Sequence, residues 1–150
     1  VILMHENEKD IYGDVLSRCV DLMQTLNSAH FKSAFDFANF VQCGEDTVKC
    51  WDALRPYIVY IHIKDAVSTD KENVLCGTGE GKIPELLHKA IVEEGYTGFL
   101  TLEPHLVLFD SLQSLETTDA KNIIRENKYK NGAEGYAAQY HALCDILAKF

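Results

Sequence analysis

The chain has 150 residues, a formal net charge of −9 and 47% apolar residues, enough for one domain spanning 1–150 around a buried core. Its acidity argues against a nucleic-acid surface, which needs clustered Lys and Arg. No apolar run nears the ~20 residues of a membrane span, so the expectation is a cytoplasmic protein without a membrane partner. The five cysteines (Cys19, Cys43, Cys50, Cys76, Cys144) are odd in number and form no Cys-x-x-Cys pair. They read as reduced, buried thiols rather than a disulfide frame or a zinc knuckle.

In chain order, residues 1–4 form an apolar run with no turn before it, so the chain is expected to begin inside a strand, without a signal-peptide layout. After Glu6 and Glu8, Asp14 is placed to cap a helix over about 15–26, with Val15, Cys19, Leu22, Met23 and Leu26 on one stripe. Residues 34–40 (Ala-Phe-Asp-Phe-Ala-Asn-Phe) read as a short aromatic strand with a polar end. Gly44-Glu45-Asp46 opens a second helix that buries Val48, Trp51, Ala53 and Leu54 and stops at Pro56.

Residues 57–65 (Tyr-Ile-Val-Tyr-Ile-His-Ile-Lys-Asp) are apolar and β-branched until they become abruptly ionisable, as a buried parallel strand does when it ends in a site. A long loop then leads to the glycine-rich segment 76–84. Pro84 suits the first turn of a helix carrying Leu86, Leu87, Ala90 and Ile91, ended by Gly95. Residues 99–105 are the fourth strand. A loop near Phe109 to Ser114 is followed by helix, broken at Asn131-Gly132, and a final amphipathic helix with Tyr136, Tyr140, Leu143, Leu147 and Phe150. The strand–helix alternation predicts an α/β fold of parallel βα repeats with right-handed crossovers.

Each predicted strand ends in a side chain able to hold a metal: Glu6, Asp36, His62 and Glu103. Parallel strands bring their carboxyl ends to one rim, so ligands scattered in sequence can converge. Three carboxylates and one imidazole suit a fairly hard divalent cation: Mn²⁺, Mg²⁺ or Co²⁺, with Zn²⁺ less favoured. Glu8 shares a strand face with Glu6 by the period of two, which leaves the choice between them open. Gly77-Thr78-Gly79-Glu80-Gly81 lacks the Gly-Lys-Ser/Thr ending of a phosphate loop and reads instead as a flexible loop over the rim. Trp51, Tyr57 and Tyr60 read as core and sheet-to-helix packing, though a tyrosine near His62 can line a pocket.

Together these residues resemble the xylose-isomerase-like TIM barrels, the sugar phosphate isomerase/epimerase and endonuclease IV superfamily. The resemblance runs from Val1 to about Leu106 and covers strands five to eight, the C-terminal half of a (β/α)8 barrel. The pieces that carry it are Met4-His5-Glu6-Asn7, Phe35-Asp36-Phe37-Ala38-Asn39, Ile61-His62-Ile63-Lys64-Asp65, Gly79-Glu80-Gly81-Lys82-Ile83-Pro84 and Leu102-Glu103-Pro104. It implies one divalent metal, with Mn²⁺ favoured, held by Glu6, Asp36, His62 and Glu103. It also implies that Glu6 and Glu103 move a proton beside a ketose carbonyl through an enediolate.

The implied partner is a small sugar or sugar phosphate, with Asn39 and Lys64 as candidate contacts to it. Asn39 stands where several hexulose epimerases of the family carry a substrate-binding histidine, and no arginine follows Asp65 where such enzymes use one. His5, His30, His88, His105 and His141 do not match the three-metal endonuclease pattern, which argues against DNA repair. A half barrel leaves sheet edges open, so pairing with the missing half or with a second copy is expected. The alternatives are a non-catalytic fragment, and a metal-binding α/β module of the flavodoxin type.

Overall fold

In the computed structural model of the chain, residues 1–107 and 128–150 are described. The elements run β1 (Leu3–Glu6), α1 (Leu16–Thr25), β2 (Phe31–Asp36), α2 (Phe37–Gln42), α3 (Thr47–Leu54), β3 (Ile58–Ile63), β4 (Asp65–Ala66), β5 (Asn73–Val74), α4 (Ile83–His88), β6 (Phe99–Leu102) and α5 (Gly132–Leu147). Strands β1, β2, β3 and β6 form one sheet in that spatial order, every pair parallel. A doubly wound flavodoxin-like module needs an order that reverses across the sheet. The order found here runs sequentially, without such a reversal. Among the described residues no helix is long and apolar enough to cross a membrane.

Register decides which side chains meet. Phe35 lies beside Ile61 and Ile61 beside Leu100, while Asp36 lies beside His62 and His62 beside Thr101. Side chains alternate between faces, so Phe35, Ile61 and Ile63 point one way and Asp36 and His62 the other. The first face is sealed by the helices: Cys19, Met23, Cys50, Trp51, Leu54, Ile83, Leu86, Leu87 and Ala90 pack with it into one core. Phe35 is its hub, with ring centroids of Phe37, Phe40 and Trp51 at 5.1, 5.2 and 5.4 Å.

Several boundaries differ from the sequence expectation. The aromatic run is not a strand to its end. β2 stops at Asp36, and Phe37–Gln42 is helix because the Asp36 carboxylate accepts the Asn39 N–H as its N-cap. Asp14 does not occupy the cap of α1. Val15 does, without a side-chain bond, while Asp14 accepts the Val15 N–H and pairs with Arg18. Asp46 does cap α3, but the buried positions are Thr47, Cys50, Trp51 and Leu54, and Ala53 is exposed.

The long loop after Asp65 contains the small antiparallel pair β4–β5. In α5 the expected stripe is rotated. Tyr136 and Tyr140 are exposed, while Gly135, Gln139, Leu143 and Ile146 are buried. The loop expected near Phe109 to Ser114 lies outside the described residues, and Asn131, read as a break, caps α5 through the Glu134 N–H.

Candidate metal centre

The four strand ends meet at one rim. β1 and β2 end in Glu6 and Asp36 themselves, His62 is the penultimate residue of β3, and Glu103 follows β6 directly. His62 Nδ1 lies 3.1 Å from Glu6 Oε1, 3.5 Å from Glu103 Oε2 and 3.9 Å from Asp36 Oδ2. One donor atom from each of the four residues lies within 4.8 Å of all the others. Donors that each bind one ion at roughly 2.0–2.6 Å stand about that far apart. Glu8, the alternative to Glu6, is not in this group: its carboxylate accepts the Lys9 N–H and pairs with Lys9 Nζ at 3.3 Å.

Three of the four residues keep a donor atom without a hydrogen bond, while the Glu103 carboxylate accepts from Lys64 Nζ. Glu6 Oε1, Asp36 Oδ2 and His62 Nδ1 are buried and make no hydrogen bond of proper geometry. Buried polar atoms are rarely left so without a cause. Gathered within 4.8 Å of one another, these atoms make an arrangement that a cation completes once the His62 proton has left. The carboxylates of Glu103 and Glu6 push the His62 ring up to about 10 against the effect of burial. Burial lifts Asp36 to about 6, with Lys64 opposing. Glu103 is held far below the ordinary carboxylate range: burial would raise it, but His105, His62 and Lys64 outweigh that.

The four residues are held by a surrounding layer, in which the sequence singled out Lys64 and Asn39 as candidate substrate contacts but gave Asn7 no role. Asn7 is 1% exposed. Its Nδ2 donates to the Asp36 carbonyl and its Oδ1 accepts the Asp36 N–H, both at 2.9 Å. Asp36 Oδ1 accepts the Asn39 N–H at 2.7 Å, which leaves Oδ2 for the site. Lys64, expected at the substrate, is 3% exposed; its Nζ donates to Glu103 Oε2 at 2.8 Å and lies 3.0 Å from Asp36 Oδ2. Asn39 is fully buried, with Oδ1 accepting from Lys9 Nζ at 3.1 Å.

Asp65 ties the rim to the glycine segment. It accepts the N–H groups of Gly77 and Gly79 on Oδ2 and those of Gly81 and Ala66 on Oδ1, all at 2.9–3.0 Å. A side chain at Gly79 would collide with that carboxylate. The N–H groups that suggested a phosphate loop are therefore spent on the protein's own anion, and the loop is pinned rather than a free flap. Gln139 of α5 reaches the same corner, donating to the Ile63 carbonyl and accepting the Cys76 N–H. An Asp after a strand, followed by alternating glycines, is the one signal in the sequence that could have found this cradle.

The sequence pattern of the xylose isomerase-like TIM barrel family matches residues 1–130. Among solved structures, D-psicose 3-epimerase from Clostridium cellulolyticum H10, determined with D-tagatose, is similar at TM-score 0.70 and 14% identity, over 99% of this chain and 49% of that one. The IOLI protein with a bound zinc atom is similar at TM-score 0.66 and 15% identity, over 99% and 49%. 3-Keto-D-glucoside 4-epimerase YcjR from E. coli is similar at TM-score 0.62 and 14% identity, over 99% and 46%. At these identities the likeness is one of fold. The chain spans about half the length of the solved structures it matches. No curated protein matches in sequence.

Proposed function

The chain belongs to the xylose isomerase-like TIM barrel family, and from that premise we propose that it supplies strands five to eight of such a barrel and the metal site of a sugar or sugar phosphate isomerase or epimerase. The observation that carries this reading is the convergence of Glu6, Asp36, His62 and Glu103, with the Glu6, Asp36 and His62 donor atoms buried without a hydrogen bond. Three oxygens and one nitrogen favour Mn²⁺, with Mg²⁺, Co²⁺ and Zn²⁺ as weaker candidates. When bound, a divalent ion supplies positive charge against the oxygen of a ketose carbonyl.

The chain's own groups divide the remaining work by exposure. The Asp36 side chain is fully enclosed, whereas those of Glu6 and Glu103 are 29% and 35% exposed. Only these two carboxylates both join the cluster and face the open side. One removes the proton from the carbon beside the carbonyl, leaving an enediolate. The other returns a proton, to the opposite face in an epimerase or to the neighbouring carbon in an isomerase. Tyr60 stands on the same face, its ring centroid 5.5 Å from that of His62 and its hydroxyl bonded to Thr101, where it can flank a sugar. Lys64 and Asn39 are walled in, and we assign them to supporting the ligands.

A sugar at this rim needs an opposite wall. Leu3, Met4 and Phe99, on β1 and β6, are 67%, 40% and 73% exposed, and solved relatives are about twice as long. The other half of a barrel, or a second copy of this one, would close the edges. The experiment has two parts. The folded 150-residue chain is expected to take up about one equivalent of Mn²⁺ by calorimetry; no uptake overturns the metal site. The barrel completed by its other half is then incubated with ketoses and ketose phosphates in D₂O. Deuterium entering beside the carbonyl supports proton transfer, and its absence with every ketose leaves a metal-binding, non-catalytic protein.

A further inference from the structure

Lys64 lies on the same oxygens that the ion would use. Its ammonium donates to Glu103 Oε2 at 2.8 Å and stands 3.0 Å from Asp36 Oδ2, and those two residues belong to the four-residue cluster. The side chain is 4% exposed, so solvent screens it little. No substrate reaches an ammonium enclosed this way without displacing a ligand. We propose that Lys64 is the resident counter-ion of the site: it bridges Asp36 and Glu103 in the free protein and fixes the charge of the ion the site accepts. This deepens the metal reading above and rests on it.

The argument is one of charge and distance. Glu6, Asp36 and Glu103 bring three negative charges, and Asp36 has no contact with bulk water. Buried carboxylates pressed together need a cation. Lys64 provides one permanently, and with His62 neutral, as a metal ligand must be, two negative charges remain for one dication to neutralise. With the ion bound, Lys64 is a like charge one carboxylate away from it, so it weakens binding of every cation and weakens a trication more than a dication. A lysine serving only as packing would treat both ions alike.

The test is binding of Mn²⁺ and of Tb³⁺ to the full chain at pH 8, in the wild type, in Lys64→Met and in Lys64→Arg. Lys64→Met is expected to bind Mn²⁺ at least tenfold more tightly, and its Tb³⁺-over-Mn²⁺ preference should rise at least tenfold above that of the wild type. Lys64→Arg keeps the charge and should keep the preference within threefold. An unchanged preference in Lys64→Met, or weaker Mn²⁺ binding there, overturns the proposal while leaving the metal site standing. Failure of the wild type to bind Mn²⁺ sinks the site itself, and this inference with it. If Lys64→Met does not fold alone, refolding with Mn²⁺ should restore its circular dichroism, because the ion then supplies the missing positive charge. A variant that stays unfolded with Mn²⁺ also overturns the proposal.

Discussion

Asn7 and Asp36 grip each other by their backbone and side chain at once: the Asn7 amide spans both the N–H and the carbonyl of Asp36, each at 2.9 Å. The two residues sit one position after Glu6 and at the end of β2. This pair therefore fixes how Glu6 and Asp36, from separate strands, face each other. Asn7→Ala would leave two buried backbone groups unpaired, at roughly 1–3 kcal/mol each. Chemical denaturation is expected to register a loss of about 2–4 kcal/mol. Calorimetry should register a fall of roughly 10–100-fold in Mn²⁺ affinity, the usual cost of removing a group that orients a ligand. A variant with unchanged affinity would make the pair a matter of folding alone.

Glu6→Gln and Glu103→Gln keep the shape of the side chain but cannot exchange a proton. In the completed barrel each is expected to lower turnover by roughly 10²–10⁴ or more, with the far-ultraviolet circular dichroism unchanged. The half-buried Glu8, paired to Lys9, serves as the control. Glu8→Gln should retain activity within a few-fold, and the opposite ranking would transfer the role of Glu6 to Glu8.

The proton count of metal uptake follows from His62. Its ring is held at about 10 by Glu103 and Glu6 in the ion-free protein, above the ordinary histidine value of about 6.5. The bound proton stabilises the ion-free fold fully below about 6.5, and that contribution is lost as pH rises through 10. At pH 8 the ring is charged, and Nδ1 cannot ligate until the proton leaves. Calorimetry in buffers of differing ionisation heat should therefore return about one proton released per ion at pH 8. In His62→Asn the release should fall towards zero. Below about 6, where Asp36 takes up its own proton, affinity should drop more steeply. A wild-type release near zero at pH 8 would contradict this assignment.

Asp65 collects four backbone N–H groups. Asp65→Asn replaces an acceptor oxygen by an NH₂ that faces N–H donors, at roughly 1–3 kcal/mol for each buried group left unpaired. A drop of about 2–4 kcal/mol in unfolding free energy is expected. Amide exchange at Gly77, Gly79 and Gly81 should accelerate before global unfolding does. Protection unchanged at these three glycines would separate Asp65 from the loop.

What the sequence by itself determined is the pattern that depends on periodicity and on strand ends. Greasy strands closing in Glu6, Asp36, His62 and Glu103 are local features, and parallel alternation carries such ends to one rim wherever the helices pack. What only the tertiary structure decided depends on partners distant in the chain. Residues 34–40 are apolar enough for strand or helix, and Asp36 tips them to helix by capping Asn39 while Asn7, 29 residues away, holds its backbone. The buried face of α5 carries Gln139 rather than Tyr136 and Tyr140, because its amide satisfies Ile63 and Cys76 and no hydrophobic stripe records such a bond. Lys64 reads in sequence as a cation near a substrate. Its place between the Asp36 and Glu103 carboxylates follows from the meeting of β3 with β2 and β6, since the worth of a buried charge is set by what surrounds it.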